Sequence, residues 1–462
     1  MEMKNVYFIG IGGIGMSALA RYFLHQGKPV AGYDRVRTPL TQALERDGAL
    51  IHYSDSAQLI PPIFRYGGGD TLVVYTPAVG SDNSELGFFR QNGVKTVKRA
   101  EVLGLIAADK WLLAVSGTHG KTTTSTMLAH IMAVAGGGCT AFLGGISKNY
   151  GANLLLSSSR FMVAEADEYD RSFLQLFPEV AVVTSIDADH LDVYGSLGEL
   201  QRAFATFVGQ LKPDGALVVK KKLTRSGKPT FVQQPLYRPI YTYALDEQAD
   251  FYAANVKAIA GGCYSFDLCT PEQTLCGCTV GAPGRVNVEN AVAASAAAWV
   301  AGVDARKLPE ALKTFRGVQR RLDVQLETPA VTYIDDYAHH PEELRAAIAS
   351  IRGMFPNKKI TGVFQPHLYS RTRDFAAEFA ESLSLLDELI LLDIYPAREQ
   401  PIPGVTSATI FDRVTIARKT MCAKNDLLKL LSKKDLQVLV TLGAGDIDAM
   451  VESIREELRI RN

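Results

Sequence analysis

Two glycine-rich turns carry the clearest chemistry. Gly117-Thr118-His119-Gly120-Lys121-Thr122-Thr123-Thr124 follows an apolar run and opens a helical one. In that setting backbone amides cradle phosphates, the lysine reaches the β- and γ-oxygens, and the first threonine hydroxyl suits Mg2+. A full Walker pattern has glycine where Val115 stands, so this loop is a shorter relative of it. A chance GKT in a surface loop is the alternative, but chance does not supply the strand before and the helix after. The segment Gly117 to Thr123 is therefore expected to bind ATP.

The second turn, Gly10-Ile11-Gly12-Gly13-Ile14-Gly15, also joins an apolar strand to a helix. Bare backbone there can approach a pyrophosphate, and the helix start offers unpaired N–H groups. Asp34 ends the following strand, where a ribose-binding acid would sit. With Asp34 in place a nucleotide diphosphate site is expected rather than a turn that only packs helix on strand, but the pattern does not choose among NAD, FAD and a nucleotide sugar.

Acids gather after two further strands: Glu165, Asp167 and Glu168 after FMVAEAD, and Asp187, Asp189, His190 and Asp192 after VVTSI. Loops at the carboxyl ends of parallel strands converge on the ligand, which places both groups toward the phosphates of Lys121. Glu165 and His190 are the expected metal ligands, for Mg2+ or, given the imidazole, Mn2+. Helix capping accounts for some of the remaining acids. Asn287 and Asn290 open an alanine-rich helix and could read an adenine edge, although capping explains asparagine there equally well. The segments Asp335 to Pro341 and Gln365 to Arg371 both follow late strands, and from neighbouring strand ends they could share a crevice in which Arg371 pairs with a carboxylate.

These residues need a scaffold, and the strand-helix rhythm supplies an α/β one. The first hundred residues alternate apolar strands (VYFIG, PVAGYD, TLVVYTP) with helical spacing, as a Rossmann-like parallel unit does. A second start at WLLAVSG leads to a P-loop ATPase-like sheet whose strands are apolar throughout, hence buried on both faces. Between about 214 and 282 short alternating strands indicate an antiparallel flank, with KKKLTRSGKPT as a solvated loop. From Val331 a third, Rossmann-like unit follows. The expected domains are 1–108, 109–322 and 323–462.

The chain has 462 residues, of which 47% are hydrophobic and 21% charged, as in a folded protein. Its 49 basic and 49 acidic side chains cancel, so no global field favours nucleic acid or an anionic membrane. No apolar run reaches the ~18 residues of a membrane span, the N-terminus has no signal-peptide order, and the cytoplasm is the expected location. Six cysteines are too few for a disulfide scaffold. Cys263, Cys269, Cys276 and Cys278 lack zinc-site spacing and are read as strand thiols.

Taken together, GIGGIGMSALA, TPAV, GTHGKTTT, EADEYDRSFL, DADHLDVYG, GRVNVEN, GVQRRLDV, DDYAHHPEE, FQPHLYSRTRD and DIYPAREQPIPG occur in the order found in the Mur ligases. The chain resembles that family of ATP-dependent amide ligases of peptidoglycan synthesis over nearly its whole length. The glycine-rich first loop, HHPEE and DIYPARE resemble the members that join L-alanine to UDP-N-acetylmuramate. The rival is the member that attaches a recycled tripeptide to the same sugar nucleotide.

The resemblance implies that Gly12, Gly13, Gly15, Asp34, Thr76 and Ala78 hold the UDP-sugar, and that Thr122, Glu165 and His190 hold the metal. It places Asn287 and Asn290 at adenine, Arg321 at the phosphates, Asp336 and His339 near ATP, and His367 and Arg371 at alanine. Lys121, Glu165, His190 and Arg321 form the implied catalytic set. The partners it implies are small molecules, acting on a monomer or homodimer. Three positions depart from the family: Val286 where many members have His, Leu368 where alanine ligases have Arg, and no lysine between His190 and Leu211, where sister ligases carry a carbamylated one. An NAD-dependent oxidoreductase would leave GTHGKTTT unexplained, and a nucleotide-driven switch would leave the His367 and Arg371 segment without a role.

Overall fold

The computed structural model describes residues 3–65, 70–80, 82–189, 191–397 and 399–461. Its contacts group into two units, one of Met1–Ala254, Asp267–Cys278 and Glu289–Arg316, the other of Asn255–Phe266, Thr279–Val288 and Gly317–Asn462.

The first unit begins with a five-stranded parallel sheet in the order Leu50–His52, Val30–Tyr33, Asn5–Ile9, Thr71–Tyr75, Thr96–Lys98. Its central strand is buried on both faces because side chains alternate across it. Val6 and Phe8 pack with Leu19 and Phe23 of the helix Ile14–His25, while Tyr7 and Ile9 pack with Phe64, Leu86 and Phe89 on the other side.

The ten-stranded sheet runs in the order Thr274–Thr279, Tyr264–Cys269, Phe251–Ala258, Ile240–Ala244, Ala216–Lys220, Val180–Val183, Trp111–Ser116, Phe161–Glu165, Thr140–Ser147, Ala152–Leu155. Sequence periodicity passes over the last two. Thr140–Ser147 carries Gly144 and Gly145, and the two strands pair antiparallel across a register shift. The expected antiparallel flank is smaller than its sequence suggests. Ala216–Lys220, Ile240–Ala244 and Phe251–Ala258 continue the parallel pairing, and the chain reverses at the turn closed by Ile259 N–H donating to Cys263 O (2.9 Å) and again at the turn closed by Thr270 N–H donating to Gln273 O (2.9 Å). Nor is KKKLTRSGKPT a plain loop. It forms a small hairpin of Thr224–Arg225 and Lys228–Pro229. Ser226 and Gly227 both take positive φ, 51° and 75°, as a tight turn matched to strand twist requires. Cys276 and Cys278 lie on a strand, as expected.

Asn153, fully buried, fastens the first two sheets together. Its amide donates to Ile14 O (2.6 Å) and Ser17 Oγ (2.9 Å), and its oxygen accepts from Arg21 Nη1 (2.9 Å). Tyr22 and Phe142 pack beside it, ring centroids 5.6 Å apart.

The second unit carries a six-stranded sheet in the order Asp323–Glu327, Thr332–Asp336, Val438–Leu442, Ile360–Phe364, Glu388–Leu391, Lys419–Met421, parallel except for its first strand. The helix Pro341–Met354 covers one face through Leu344, Ile348 and Ile351, and the closing helix Val451–Arg461 covers the other through Ile454 and Leu458. Among the described residues, no helix is long and apolar enough to cross a membrane.

Candidate active site

The loop from Gly117 to Gly120 joins the strand Trp111–Ser116 to the helix Lys121–Ala135. Gly117 (φ 130°) and Gly120 (φ 80°) use backbone that side-chain-bearing residues avoid. A Cβ on Gly117 would lie 2.0 Å from Thr184 Oγ1. The next strand end holds the loop's shape: His119 N–H donates to Ser185 Oγ (2.8 Å), Asp187 N–H donates to Thr118 Oγ1 (3.1 Å), and Thr118 and Ser185 hydroxyls lie 2.9 Å apart. Thr122 and Thr123 begin the helix and are buried. Asn290 sits over the same turn, its Oδ1 accepting from Thr124 Oγ1 at 3.2 Å. Asn287, by contrast, donates through Nδ2 to Pro283 O at 2.6 Å, a local bond of the capping kind.

Lys121 is not a solvated loop lysine. Its Nζ lies 2.7 and 2.8 Å from the two oxygens of Glu168, a fully buried carboxylate. Burial alone would lower the ammonium's pKa, but the charges of Glu168, Asp167 and Glu165 outweigh it and hold the pKa above the usual lysine range. Glu168 was one acid among several in the sequence, and only the fold singles it out. Its own carbonyl accepts from Tyr194 Oη at 2.6 Å, and the chain beyond it turns through Asp170 and Arg171 at φ 53° and 55°.

Glu165 ends its strand against Gly144, where a Cβ would lie 2.1 Å from Oε2. This glycine leaves the carboxylate a cradle that a larger residue would fill. Glu165 and Thr122 offer hard oxygen donors of the kind Mg2+ takes. His190 lies outside the described residues. Among them, no group of three or more His, Cys, Asp or Glu side chains converges as a metal site.

A cavity of about 90 Å3 runs from Glu165 and Asp167 to the first glycine loop, lined also by Ile14, Gly15, Phe142 and Arg99. In that loop Gly12 N–H donates to Asp34 Oδ2 at 2.7 Å, and Val36 N–H donates to Oδ1 at 3.1 Å. The acid expected at a ribose thus shapes the glycine turn itself. Gly10 packs on Thr76, whose Cγ2 would lie 2.6 Å from an added Cβ, and Thr76 Oγ1 lies 3.5 Å from Ala78 N. Gly13 is the residue before the helix, and Gly15 makes room for the Arg99 guanidinium. Arg99, one residue after a short strand, carries no motif that sequence alone would detect.

The second unit gathers its own polar cluster. Asp336 accepts from Leu322 N–H (2.7 Å) and Ala338 N–H (2.8 Å), and burial, opposed by Arg321, pushes its carboxyl up to about 6. His339 Nδ1 lies 3.1 Å from Glu343, which also faces Arg321 at 3.9 Å. Burial raises the Glu343 pKa, but His339 and Arg321 prevail and hold it well below the usual range. Arg321 stacks on Tyr337, 5.1 Å from the ring centroid.

The two late segments meet, with His339 and His367 ring centroids 6.0 Å apart and Arg371 Nη1 3.5 Å from His367 Nδ1. Their strands are not neighbours, however, since Val438–Leu442 lies between them. That strand ends at Gly443 (φ 137°), where a Cβ would strike Gln365 O at 2.7 Å. Tyr395 and Glu399, which lie in the DIYPARE segment but are given no role from the sequence, brace this side. Tyr395 stacks on His367 and accepts from Leu368 N–H (3.0 Å), and Glu399 accepts from Ser370 N–H (2.9 Å). They support Leu368 at φ 72°.

A glycine-rich loop of the phosphate-binding kind between strand and helix, faced by carboxylates, two of which line a cavity that reaches a second glycine-rich loop, defines a class of nucleotide-dependent α/β enzymes. The chain belongs to the Mur ligase family. Residues 5–111 match the Mur ligase family catalytic domain, 115–298 the Mur ligase middle domain, and 320–445 the Mur ligase glutamate ligase domain. A UDP-N-acetylmuramate–L-alanine ligase of Parabacteroides distasonis is 52% identical over 99% of this chain and 98% of its own. The crystal structure of the UDP-N-acetylmuramate–alanine ligase MurC of Thermotoga maritima superposes with a TM-score of 0.83 at 28% identity, covering 99% of this chain and all of that one. A murein peptide ligase of Psychrobacter arcticus, at 21% identity and a TM-score of 0.70 over 98% of both chains, shares the fold.

Proposed function

We propose that the chain is an ATP-dependent ligase that joins L-alanine to the lactyl carboxylate of UDP-N-acetylmuramate, giving ADP and phosphate. Full-length likeness at 52% identity to a ligase of that activity carries the assignment, and the tripeptide-recycling alternative is not favoured. A carboxylate does not react with an amine near neutral pH. The lactyl carboxylate therefore attacks the γ-phosphate, and the neutral amine of alanine displaces phosphate from the acyl phosphate. Such a reaction needs positioning and charge stabilisation rather than a protein nucleophile.

In this reading Lys121 leaves Glu168 to meet the phosphates, assisted by Arg321. Thr122, Glu165 and His190 would hold Mg2+, which would supply charge neutralisation when bound. Asn287 and Asn290 face adenine, with Asp336 and His339 near the nucleotide, and His367 and Arg371 take alanine. The boundaries 1–108, 109–322 and 323–462 assign sugar nucleotide, ATP and amino acid to successive domains, in a cytoplasmic enzyme. The test is product mass with UDP-N-acetylmuramate, ATP and a panel of amino acids, the lactyl carboxylate carrying oxygen-18. A product with alanine and label in the released phosphate are expected. Product with a tripeptide alone, or label confined to amide and unreacted acid, would overturn the substrate or the acyl phosphate respectively.

A further inference from the structure

Arg99 is the first residue of the helix Arg99–Ala107, and its side chain crosses to the glycine loop. A Cβ built on Gly15 would lie 2.2 Å from its Nη1, so the glycine leaves space for the guanidinium. Its other nitrogen lies 3.8 Å from Asp167 Oδ2, and both side chains are partly exposed. The preceding residue makes a parallel link, Lys98 Nζ to Asp170 Oδ2 at 2.8 Å.

The cavity beside Arg99 holds two carboxylates, Glu165 and Asp167, and among the described residues no other cation lines it. At about 90 Å3 it has room for a carboxylate group. Its remaining walls are apolar, including Leu103, Phe142 and Leu143. An incoming anion would meet repulsion from both acids unless the guanidinium received it, and a carboxylate fits the paired donors of arginine.

We propose that Arg99 receives the reacting carboxylate of the sugar nucleotide, exchanging Asp167 for it, and so distinguishes that substrate from sugar nucleotides without the acid. This rests on the function proposed above. Arg99 thereby selects the substrate and brings its nucleophilic oxygen to the side of the cavity that Glu165 occupies, while Asp167 acts as the anion that holds the guanidinium until the substrate arrives.

Calorimetric titration with UDP-N-acetylmuramate and with UDP-N-acetylglucosamine, which lacks the lactyl acid, tests this directly. The wild-type protein is expected to prefer the first ligand. In Arg99→Gln that preference should fall about tenfold or more, the measure of a lost charge-assisted contact, while affinity for UDP-N-acetylglucosamine stays within about twofold. Arg99→Lys should keep part of the preference, and Asp167→Asn, which removes the competing anion, should raise it. Equal weakening of both ligands in Arg99→Gln would place the guanidinium on the diphosphate, and no change in either would leave it a structural tie. Each result overturns the proposal. Should Arg99→Gln fail to fold by circular dichroism, Asp167→Asn decides, since an unchanged or lower preference there is equally fatal. A wild-type protein that binds neither ligand would instead refute the assigned substrate.

Discussion

Lys121 illustrates how a residue serves fold and chemistry together. Seen in sequence it belongs to a phosphate loop, so its loss would remove turnover and leave the fold alone. The buried pair with Glu168 changes that expectation. Lys121→Ala leaves a fully buried carboxylate without its cation, which costs ~3 kcal/mol or more. We expect Lys121→Ala to lose activity and to lower the urea midpoint. Lys121→Ala combined with Glu168→Gln should recover much of the stability and none of the activity. A single variant as stable as wild type would show that the pair is not held in solution.

At the scale of elements, the end of the strand Leu50–His52, the central strand Asn5–Ile9 and the helix Ser84–Gln91 meet in a buried polar network. Tyr7 Oη donates to Glu85 Oε2 at 2.7 Å and lies 2.9 Å from His52 Nε2. Burial pushes the Glu85 carboxyl from 4.5 up to about 7, against the hydrogen bonds of Tyr7 and Ser56. A raised carboxyl pKa means the folded state holds the extra proton, so its contribution is complete below the unfolded value and is lost as pH rises toward 7. His52, lowered mainly by burial, opposes this below its ordinary value. Between pH 5 and pH 8 the Glu85 contribution amounts to roughly 3 kcal/mol at most. Glu85→Gln should therefore flatten the fall in urea midpoint between those pH values, and parallel curves for the two proteins would rule the network out as its cause.

The helix Leu197–Gly209 supports a second prediction at this scale. It carries Arg202 paired with Glu199, and the first lysine beyond it, Lys212, is engaged with Glu179 at 2.8 Å. A guanidinium does not form the carbamate found in sister ligases. Activity should be unchanged when CO2 and bicarbonate are stripped from the assay, whereas a reversible loss restored by bicarbonate would reveal a carbamylated lysine elsewhere.

For the whole molecule, the groups assigned to one reaction belong to two units. Lys121, Glu165 and Glu168 lie in the first, while Arg321, Asp336, His339, His367 and Arg371 lie in the second. Under the proposed function, ligand binding is expected to compact the molecule. UDP-N-acetylmuramate with a non-hydrolysable ATP analogue should lower the radius of gyration in small-angle scattering, and an unchanged value would count against that expectation. Asn153 sets a boundary on that motion, because it fastens the first sheet to the second within one unit.

The sequence alone determined the α/β class, the two glycine loops with their strand and helix contexts, and the family. Each is written in contiguous residues: strands buried on both faces read as apolar runs, and a loop that cradles phosphate needs its glycines in order. Tertiary structure alone decided which acid pairs with Lys121, that Asp34 braces Gly12, that Arg99 reaches Gly15, and that the His339 and His367 segments meet across an intervening strand. Those partners are tens of residues apart or more, and nothing local marks one acid or arginine among many. The hairpin at Ser226 and the strand Thr140–Ser147 escaped notice for a related reason. Polar turn residues and internal glycines erase the apolar periodicity by which a strand is read, and only pairing with a neighbour restores it.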